Sequence, residues 1–246
     1  MILADGRVVT TSTDLYPDLF WAVRGAGQCF GVATEFTYRA WNQGSVWAGM
    51  LVSFANWNHE QAIPDCGMGM GFTTPPGAPG VVVFISLFYN GSEEDAKAYY
   101  KALFDIGPIV NHTGPMPYEK VNGIFNDAQG FGGRKLFGGS NIAFPFDTTF
   151  IQSIFDEFVA FTGTHEGTSS SIVMFEFLPY EKTVSVGVEE TAFANRGEYY
   201  NVCTTIKWDR PELDQEVRLF NRQINSRIRE QGGKKKTDAV GVYANY

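Results

Sequence analysis

One carboxylate set in an apolar stretch is the first group in this chain with the surroundings of an acid–base catalyst. Glu176 lies in the run Val173–Leu178, whose other residues are all apolar. Removing a carboxylate from water raises its pKa toward the working range of a general base, so Glu176 is a candidate catalytic base. A second interpretation has equal support, because alternation along a strand would also turn Glu176 to solvent from an uncovered sheet face.

Three further polar side chains near this carboxylate in the sequence are candidates for holding a substrate. Arg196 could bind a substrate anion or pair with Glu189 or Glu190. Tyr180 and Tyr200 could line a pocket, although tyrosines on strands most often pack in the core. The sequence leaves both interpretations open for each of these residues.

A glycine-rich turn near the N-terminus resembles a loop whose backbone comes close to a ligand. Gly25, Gly27 and Gly31 lie between an apolar helical turn and a predicted strand, Phe30–Tyr38. Their spacing differs from the phosphate-binding fingerprint, and they precede a strand instead of opening a helix after one. On the residues alone, a turn that serves packing is the preferred interpretation.

Composition excludes several function classes. The 246-residue chain carries a net charge of −8, and no basic cluster is interleaved with aromatics, which argues against a nucleic-acid partner. Its three cysteines and three histidines have no metal-ligand spacing, and no apolar run approaches the length of a membrane span. Asn90-Gly91-Ser92 and Asn111-His112-Thr113 match the N-glycosylation pattern, so secretion is compatible with the sequence. A soluble protein is expected.

The elements that must position these groups alternate between strands and helices. Helices are predicted after the capping residues Ser92 and Asp147 and from Pro211 onward, with Gly163 and Gly232 as stops. Their pattern predicts an α+β fold, an antiparallel sheet backed by helices. The predicted strands are Val46–Phe54, Val81–Tyr89, Ser171–Phe177, Val184–Glu189 and Tyr199–Trp208.

Two N-terminal segments, Leu3–Val9 and Asp18–Thr34, together resemble the end of the FAD-binding domain of berberine bridge enzyme-like flavoprotein oxidases, in the vanillyl-alcohol oxidase group. Ala26 and Ala33 depart from the family pattern. Further similar elements follow along the chain: Pro117-Tyr118, Val121-Asn122, Pro179-Tyr180, Ala192–Arg196, Trp208-Asp209 and Tyr243–Tyr246. The resemblance covers nearly the whole chain but only about the latter half of a typical member, without the half that attaches the flavin and binds its pyrophosphate.

The resemblance implies a domain plan and a set of site residues. It implies a remnant of the FAD-binding domain at 1–41, a substrate-binding α+β domain at 42–240 and a returning segment at 241–246. The cofactor implied is FAD, although the missing half would carry most of its contacts. Tyr243 is implied as a catalytic residue beside Glu176. The flavin-contacting residues implied are Gly25, Gly27, Phe30, Gly31, Val32, Thr34 and Asn245.

The function implied is an FAD-linked oxidoreductase, present as a truncated or partial chain, that oxidises a small organic molecule of the secondary-metabolite kind. A homodimer or a complementary chain would then supply the missing half. Two alternatives stay open: a flavin-independent cyclase or isomerase that reuses the substrate pocket, and a non-catalytic binding or partner protein.

Overall fold

Alternating apolar residues build a seven-stranded antiparallel sheet. The computed structural model of the protein describes residues 1–53, 66–145 and 147–232, with only the backbone of 127–129. Within this part the strand order is β4-β1-β3-β2-β6-β7-β5, and every neighbouring pair is antiparallel. The strands are β1 Val46–Ser53, β2 Cys66–Thr73, β3 Val82–Tyr89, β4 Val110–Met116, β5 Arg134–Ile142, β6 Ile172–Phe177 and β7 Tyr200–Trp208.

Helices account for the remaining regular structure, and the predicted caps form. Ser92 accepts from the Asp95 amide and Asp147 from the Thr149 amide, while Gly232 ends the last helix. The helices are α1 Pro17–Ala26, α2 Glu93–Tyr99, α3 Lys101–Asp105, α4 Thr148–Thr164, α5 Glu181–Val184 and α6 Asp214–Gln231, with 3₁₀ segments at Gly27–Cys29, Tyr118–Gln129 and Pro211–Leu213.

The two faces of the sheet differ in burial. On β6, Val173, Phe175 and Phe177 are buried, whereas Ile172, Met174 and Glu176 are half-buried. The face of Phe175 packs under helices: the rings of Phe72 and Phe155 on α4 meet edge to face at 5.0 Å. We call this side the covered face and the side of Glu176 the open face. A sheet packed on one side is what the alternation predicted.

A buried polar network joins α6 to the covered face. The Thr204 hydroxyl donates to Asn221 Oδ1 at 2.6 Å and accepts from Asn225 Nδ2 at 2.8 Å. Gly138, opposite Thr204 in the register, makes room for these groups. Buried polar groups require such partners, so the network fixes how α6 sits on β5 and β7.

The predicted α+β class is confirmed, but some elements differ from the prediction. The prediction of a strand at Val184–Glu189 is wrong: the segment holds the last residue of α5 and turns, with local bonds such as that from the Val184 amide to the Tyr180 carbonyl. Phe30–Tyr38 makes only a single bridge, between Val32 and Ile2. Helix α4 continues through Gly163 to Thr164.

Three strands escaped prediction because their composition is poor in strand formers. Strand β2 reads Cys-Gly-Met-Gly-Met-Gly-Phe-Thr, with a glycine at every second position. Strand β5 carries Gly138 and Gly139, and β4 carries Gly114 and Pro115. These three segments form strands because neighbouring strands supply their hydrogen-bond partners, which the composition of each segment alone does not indicate.

Residues 1–42 form a separate compact unit together with residues 180–198. The Asp5-Gly6 turn closes the expected hairpin, with Gly6 at φ +85° and the Leu3 amide bonded to the Arg7 carbonyl at 2.9 Å. Trp21 Nε1 donates to the Glu189 carbonyl at 2.7 Å, and the Ala192 amide donates to the Trp21 carbonyl. The sequence-based plan had placed 180–198 with the substrate domain.

Candidate functional site

A row of polar side chains crosses the open face of the sheet, with Glu176 near its centre. Strand register places Glu176 opposite Gly69 on one side and Asn201 on the other. Gly69 in turn faces Ser86, and Asn201 faces Asn141. We call Ser86, Glu176, Asn201 and Asn141 the polar row. Directly opposed side chains in an antiparallel sheet lie about 5 Å apart at Cβ, so Glu176 and Asn201 can contact one ligand together. Ser86 lies one strand further on, beyond Gly69, and Asn141 is buried at 3% exposure.

Gly69 opens a notch between Ser86 and Glu176. A Cβ at Gly69 would lie 2.7 Å from Ser86 Oγ and 3.6 Å from the Met174 sulfur. The Ser86 hydroxyl therefore leans across the glycine toward the strand of Glu176. A side chain at position 69 would displace the hydroxyl and fill the space beside the carboxylate, so glycine keeps this notch open.

Cys203 lies beside Glu176 and has a perturbed acidity. Burial raises the pKa of the Cys203 thiol to about 11; the Thr205 hydroxyl opposes this rise, and the negative charge of Glu176 adds to it. The thiol therefore stays protonated at neutral pH and is no nucleophile there. Because the charge of Glu176 contributes to this rise in pKa, the Glu176 carboxylate is close enough to the Cys203 thiol to interact with it electrostatically.

This arrangement has a definite chemical capacity. A half-buried carboxylate flanked by a hydroxyl and a carboxamide can accept a proton from an O–H or N–H of a bound molecule, and its neighbours can orient that molecule. The structure places Glu176 on the half-exposed side of the sheet, as the second interpretation of its sequence expected, and within reach of a ligand; its role as a base stays a prediction.

The two adjacent tyrosines lie in different surroundings from Glu176. Tyr200 belongs to the covered face, buried, with its ring 5.3 Å from those of Phe144 and Phe177. Burial raises the pKa of Tyr199 to about 12. The structure thus places Tyr200 in the aromatic core and does not bring it to the polar row.

Arg196 and Tyr180 belong to the N-terminal unit. The Arg196 guanidinium donates to the Thr183 carbonyl at 3.1 Å and the Thr191 hydroxyl at 2.8 Å, and stacks over Phe193. These partners replace the predicted pairing with Glu189 or Glu190. Tyr180 precedes α5 and its carbonyl accepts from the Val184 amide. Tyr243 and Asn245 lie outside the described residues.

The glycines of the N-terminal turn meet the protein's own backbone at two positions. A Cβ at Gly25 would lie 2.1 Å from the Phe193 amide nitrogen, and one at Gly31, where φ is +141°, 2.2 Å from the Ile2 carbonyl oxygen. A Cβ at Gly27 would meet only the Val23 Cβ, at 4.0 Å, which is an ordinary contact. Packing against residues 192–193 and 2 thus accounts for glycine at positions 25 and 31, the interpretation preferred on the residues alone. The flavin contacts that the resemblance implies for these residues stay a prediction.

A shallow depression of about 540 Å³ lies beside this turn, lined in part by Ile2, Leu19, Phe30 and Val32. Phe30 and Val32 are exposed, as is Thr34 nearby. Its wall suits one side of a flat apolar ring such as the isoalloxazine of a flavin. The lining includes one carboxylate, Asp5, and no cation, so it does not fit the diphosphate of FAD. This depression is therefore not a complete FAD site.

The described part of the chain contains neither a metal-ligand cluster nor a membrane-spanning helix. No group of three or more His, Cys, Asp or Glu side chains is placed to hold a metal ion among the described residues. Across residues 1–53, 66–145 and 147–232, no helix has the length and apolarity to span a bilayer.

Sequence reasoning missed the partners of Glu176. Ser86, Asn201 and Asn141 come from strands β3, β7 and β5, and only strand register brings them into one row. Alternation within β7 could have placed Asn201 on the face opposite Val202. No local signal could have indicated Gly69, because β2 itself was not recognised.

Curated proteins similar in sequence are fungal oxidoreductases. The FAD-linked oxidoreductase pgmH of Aspergillus terreus is 32% identical over 270 aligned positions, which cover 100% of this chain and 55% of that protein. The FAD-linked oxidoreductase OXR1 of Pyricularia oryzae is 24% identical, with 100% and 52% covered. The chain thus spans about half the length of the curated relatives it matches. No family model matches it.

Solved structures share the fold at lower identity. A berberine bridge enzyme-like protein of Physcomitrella patens superposes with a TM-score of 0.77 at 16% identity, covering 100% of this chain and 56% of that one. For 6-hydroxy-D-nicotine oxidase of Arthrobacter nicotinovorans the TM-score is 0.75 at 20% identity, with 98% and 55% covered. The fold expected from the resemblance is therefore confirmed.

Proposed function

Because this chain is related to the FAD-linked oxidoreductases of the berberine bridge enzyme-like type, we propose that it supplies the substrate-binding part of such an oxidoreductase. Its substrate would be a small organic molecule bound against the open face of the sheet. The observation that carries this proposal is the position of Glu176 in the polar row, half-buried and opposite Gly69 and Asn201.

Three members of the polar row have a role in this proposal. Glu176 accepts the proton of the substrate's hydroxyl or amine, since a carboxylate in partly apolar surroundings is a suitable base. The Ser86 hydroxyl and the Asn201 carboxamide orient the substrate beside it. FAD, when bound, supplies the acceptor for the hydride. Tyr180 and Arg196 remain proposed contacts for substrate, Tyr243 remains a proposed catalytic residue, and Asn245 a proposed contact for the flavin.

Exposed apolar side chains on the N-terminal unit support a second part of the proposal, that additional polypeptide covers this surface. Phe36, Tyr38 and Trp41 are 69%, 81% and 77% exposed, and Val8 and Val32 are 74% and 67% exposed. Solvent-exposed apolar surface of this extent marks an interaction surface. We propose that further polypeptide of the family fold covers it, in a longer chain, a complementary chain or a second copy. This polypeptide would also supply the diphosphate contacts that the depression beside the N-terminal turn lacks.

No observation supports a flavin-independent cyclase or isomerase, or a purely non-catalytic binding protein. Oxidation is the one reaction for which both the relatives and the carboxylate on the open face give support.

The experiment is a flavin measurement on two preparations. One is this chain purified with added FAD; the other is the chain co-expressed with the part of pgmH that lies outside the matched region. We expect a flavin absorption spectrum in the second, and flavin reduction when alcohols or amines are added without oxygen. A folded, colourless protein in both preparations would contradict the proposal.

Glu176→Gln tests the base. Removing a general base slows the chemical step by about 10²- to 10⁴-fold, so the rate of flavin reduction should fall by that factor with the flavin spectrum retained. Glu119→Gln, at an exposed position of the Tyr118–Gln129 segment, is the matched control and should reduce flavin at the wild-type rate. Equal rates in both variants would remove Glu176 from the mechanism.

A further inference from the structure

An N-glycosylation pattern lies on an outer strand of the sheet. In Asn111-His112-Thr113 a hydroxyl-bearing residue follows the asparagine at the second position, as the acceptor pattern requires. These residues belong to β4, which stands at one end of the strand order and, among the described residues, pairs only with β1. Asn111 and His112 are exposed and Thr113 is half-buried. The asparagine is therefore accessible at the rim of the folded sheet.

The asparagine and the threonine of this pattern are hydrogen-bonded to each other. The Thr113 hydroxyl donates to Asn111 Oδ1 at 2.6 Å, and the Thr113 amide donates to the same oxygen at 3.0 Å. Because a backbone N–H can only donate, it fixes which end of the Asn111 carboxamide is the oxygen. Both bonds use Oδ1, so neither of them occupies Nδ2, the atom to which a glycan is attached.

The second match to the pattern, Asn90-Gly91-Ser92, has its polar groups engaged in the fold. The Ser92 hydroxyl donates to Asp95 Oδ2 at 2.6 Å and accepts from the Asp95 amide at 3.1 Å, which caps α2. Asn90 Oδ1 accepts from Gln43 Nε2 at 2.8 Å. The hydroxyl of this pattern is thus committed to the helix N-terminus instead of to its asparagine. The two segments match one sequence rule but differ in structure.

The edge of the sheet beside Asn111 carries apolar side chains. Ile109 and Val110, which come just before it, are 58% and 36% exposed. In the described part of the chain, no strand lies on the outer side of β4. A strand edge with unpaired backbone groups and exposed apolar side chains favours association between chains, and proteins cover such edges. A glycan is bulky and solubilising, so one at Asn111 would cover this edge.

We propose that Asn111 is an N-glycosylation site in a chain that enters the secretory pathway, that Asn90 is not, and that the glycan covers the outer edge of β4. The donor is an oligosaccharide linked to a polyprenyl diphosphate. Asn111 Nδ2 loses one proton and bonds to the anomeric carbon of the sugar, whose bond to the diphosphate oxygen breaks, so that polyprenyl diphosphate leaves. The modification requires no flavin and is independent of the function proposed for the polar row.

The test is secretion of the full chain from a eukaryotic expression host behind a cleavable leader peptide. An endoglycosidase that leaves one sugar on the asparagine then shows the glycan as a loss of mass. Peptide mass spectrometry of wild type should find the remaining sugar at Asn111 and none at Asn90. Asn111→Gln and Thr113→Ala should lose the glycan, whereas the matched control Asn90→Gln should keep it. A wild-type mass unchanged by the enzyme, or a sugar at Asn90, would overturn the proposal.

A second measurement tests whether the glycan covers the edge. Light scattering compares secreted wild type before and after endoglycosidase treatment over a range of protein concentrations. We expect the treated protein to self-associate at a concentration lower by about tenfold or more, because the treatment uncovers the edge of β4 with Ile109 and Val110. Ile109→Lys, which places a charge at the same edge, should keep the treated protein monomeric. Equal association before and after treatment of wild type would contradict the covering role.

Discussion

The two faces of the sheet use polar groups in opposite ways. On the covered face, Thr204, Asn221 and Asn225 are at most 5% exposed and bond to one another under α6. On the open face, Glu176, Ser86 and Asn201 are half-buried, at positions that a ligand can reach. Polar groups that are sealed in serve the fold, and those left at a partly wet surface are available for function. The open face should therefore tolerate substitutions that the covered face does not.

The largest expected contrast is between two apolar residues on opposite sides. Phe158 on α4 is fully buried and lies near Phe72, whereas Met174 on the open face is half-buried. Phe158→Ala should lower the free energy of unfolding by about 3–5 kcal/mol, because it leaves a cavity. Met174→Ala should cost about 1 kcal/mol or less, since its surroundings are partly wet. Urea unfolding measures both, and equal losses would remove the distinction between the faces.

Glycine-to-alanine substitutions on the two faces test the same comparison, with a smaller expected change in stability. A Cβ at Gly138 would lie 2.6 Å from the amide nitrogens of Asn221 and Asn225, whereas one at Gly114 on β4 meets no atom within 4 Å. Gly138→Ala should therefore destabilise the protein by about 1–3 kcal/mol. The control, Gly114→Ala, should be neutral or slightly stabilising, because alanine restricts the unfolded chain. A stable Gly138→Ala variant would mean that the buried network can rearrange.

The sequence predicted those parts of this architecture that depend on local patterns. Caps at Ser92 and Asp147 and the alternation in β7 were sufficient to place helices and a one-sided sheet. Strand β2 could not be predicted, because its glycines have no strand propensity and their use depends on neighbours such as Ser86. The site was predicted only in part for the same reason. Glu176 could be named from its apolar run, but the residues beside it depend on strand register, which is a tertiary property.

Cys203 offers the smallest effect and an exception to the comparison, since it is buried, like Asn141 and Thr205, although it belongs to the open face. Its folded-state pKa of about 11 lies above the ordinary thiol value of 9.0. The folded state therefore holds the proton more tightly, so this contribution to stability is complete below pH 9 and is lost as the pH rises through about 11. Between pH 8 and pH 11 the free energy of unfolding, measured by thermal unfolding, should fall by about 1–2 kcal/mol more in wild type than in Cys203→Ala.

Thiol modification tests the burial of Cys203 directly. At pH 8 a disulfide reagent should modify the exposed Cys29 quickly and Cys203 slowly. Rapid modification of Cys203, or parallel pH profiles for the two proteins, would mean that water reaches the thiol beside Glu176. The open face would then be solvent-accessible at this position as well.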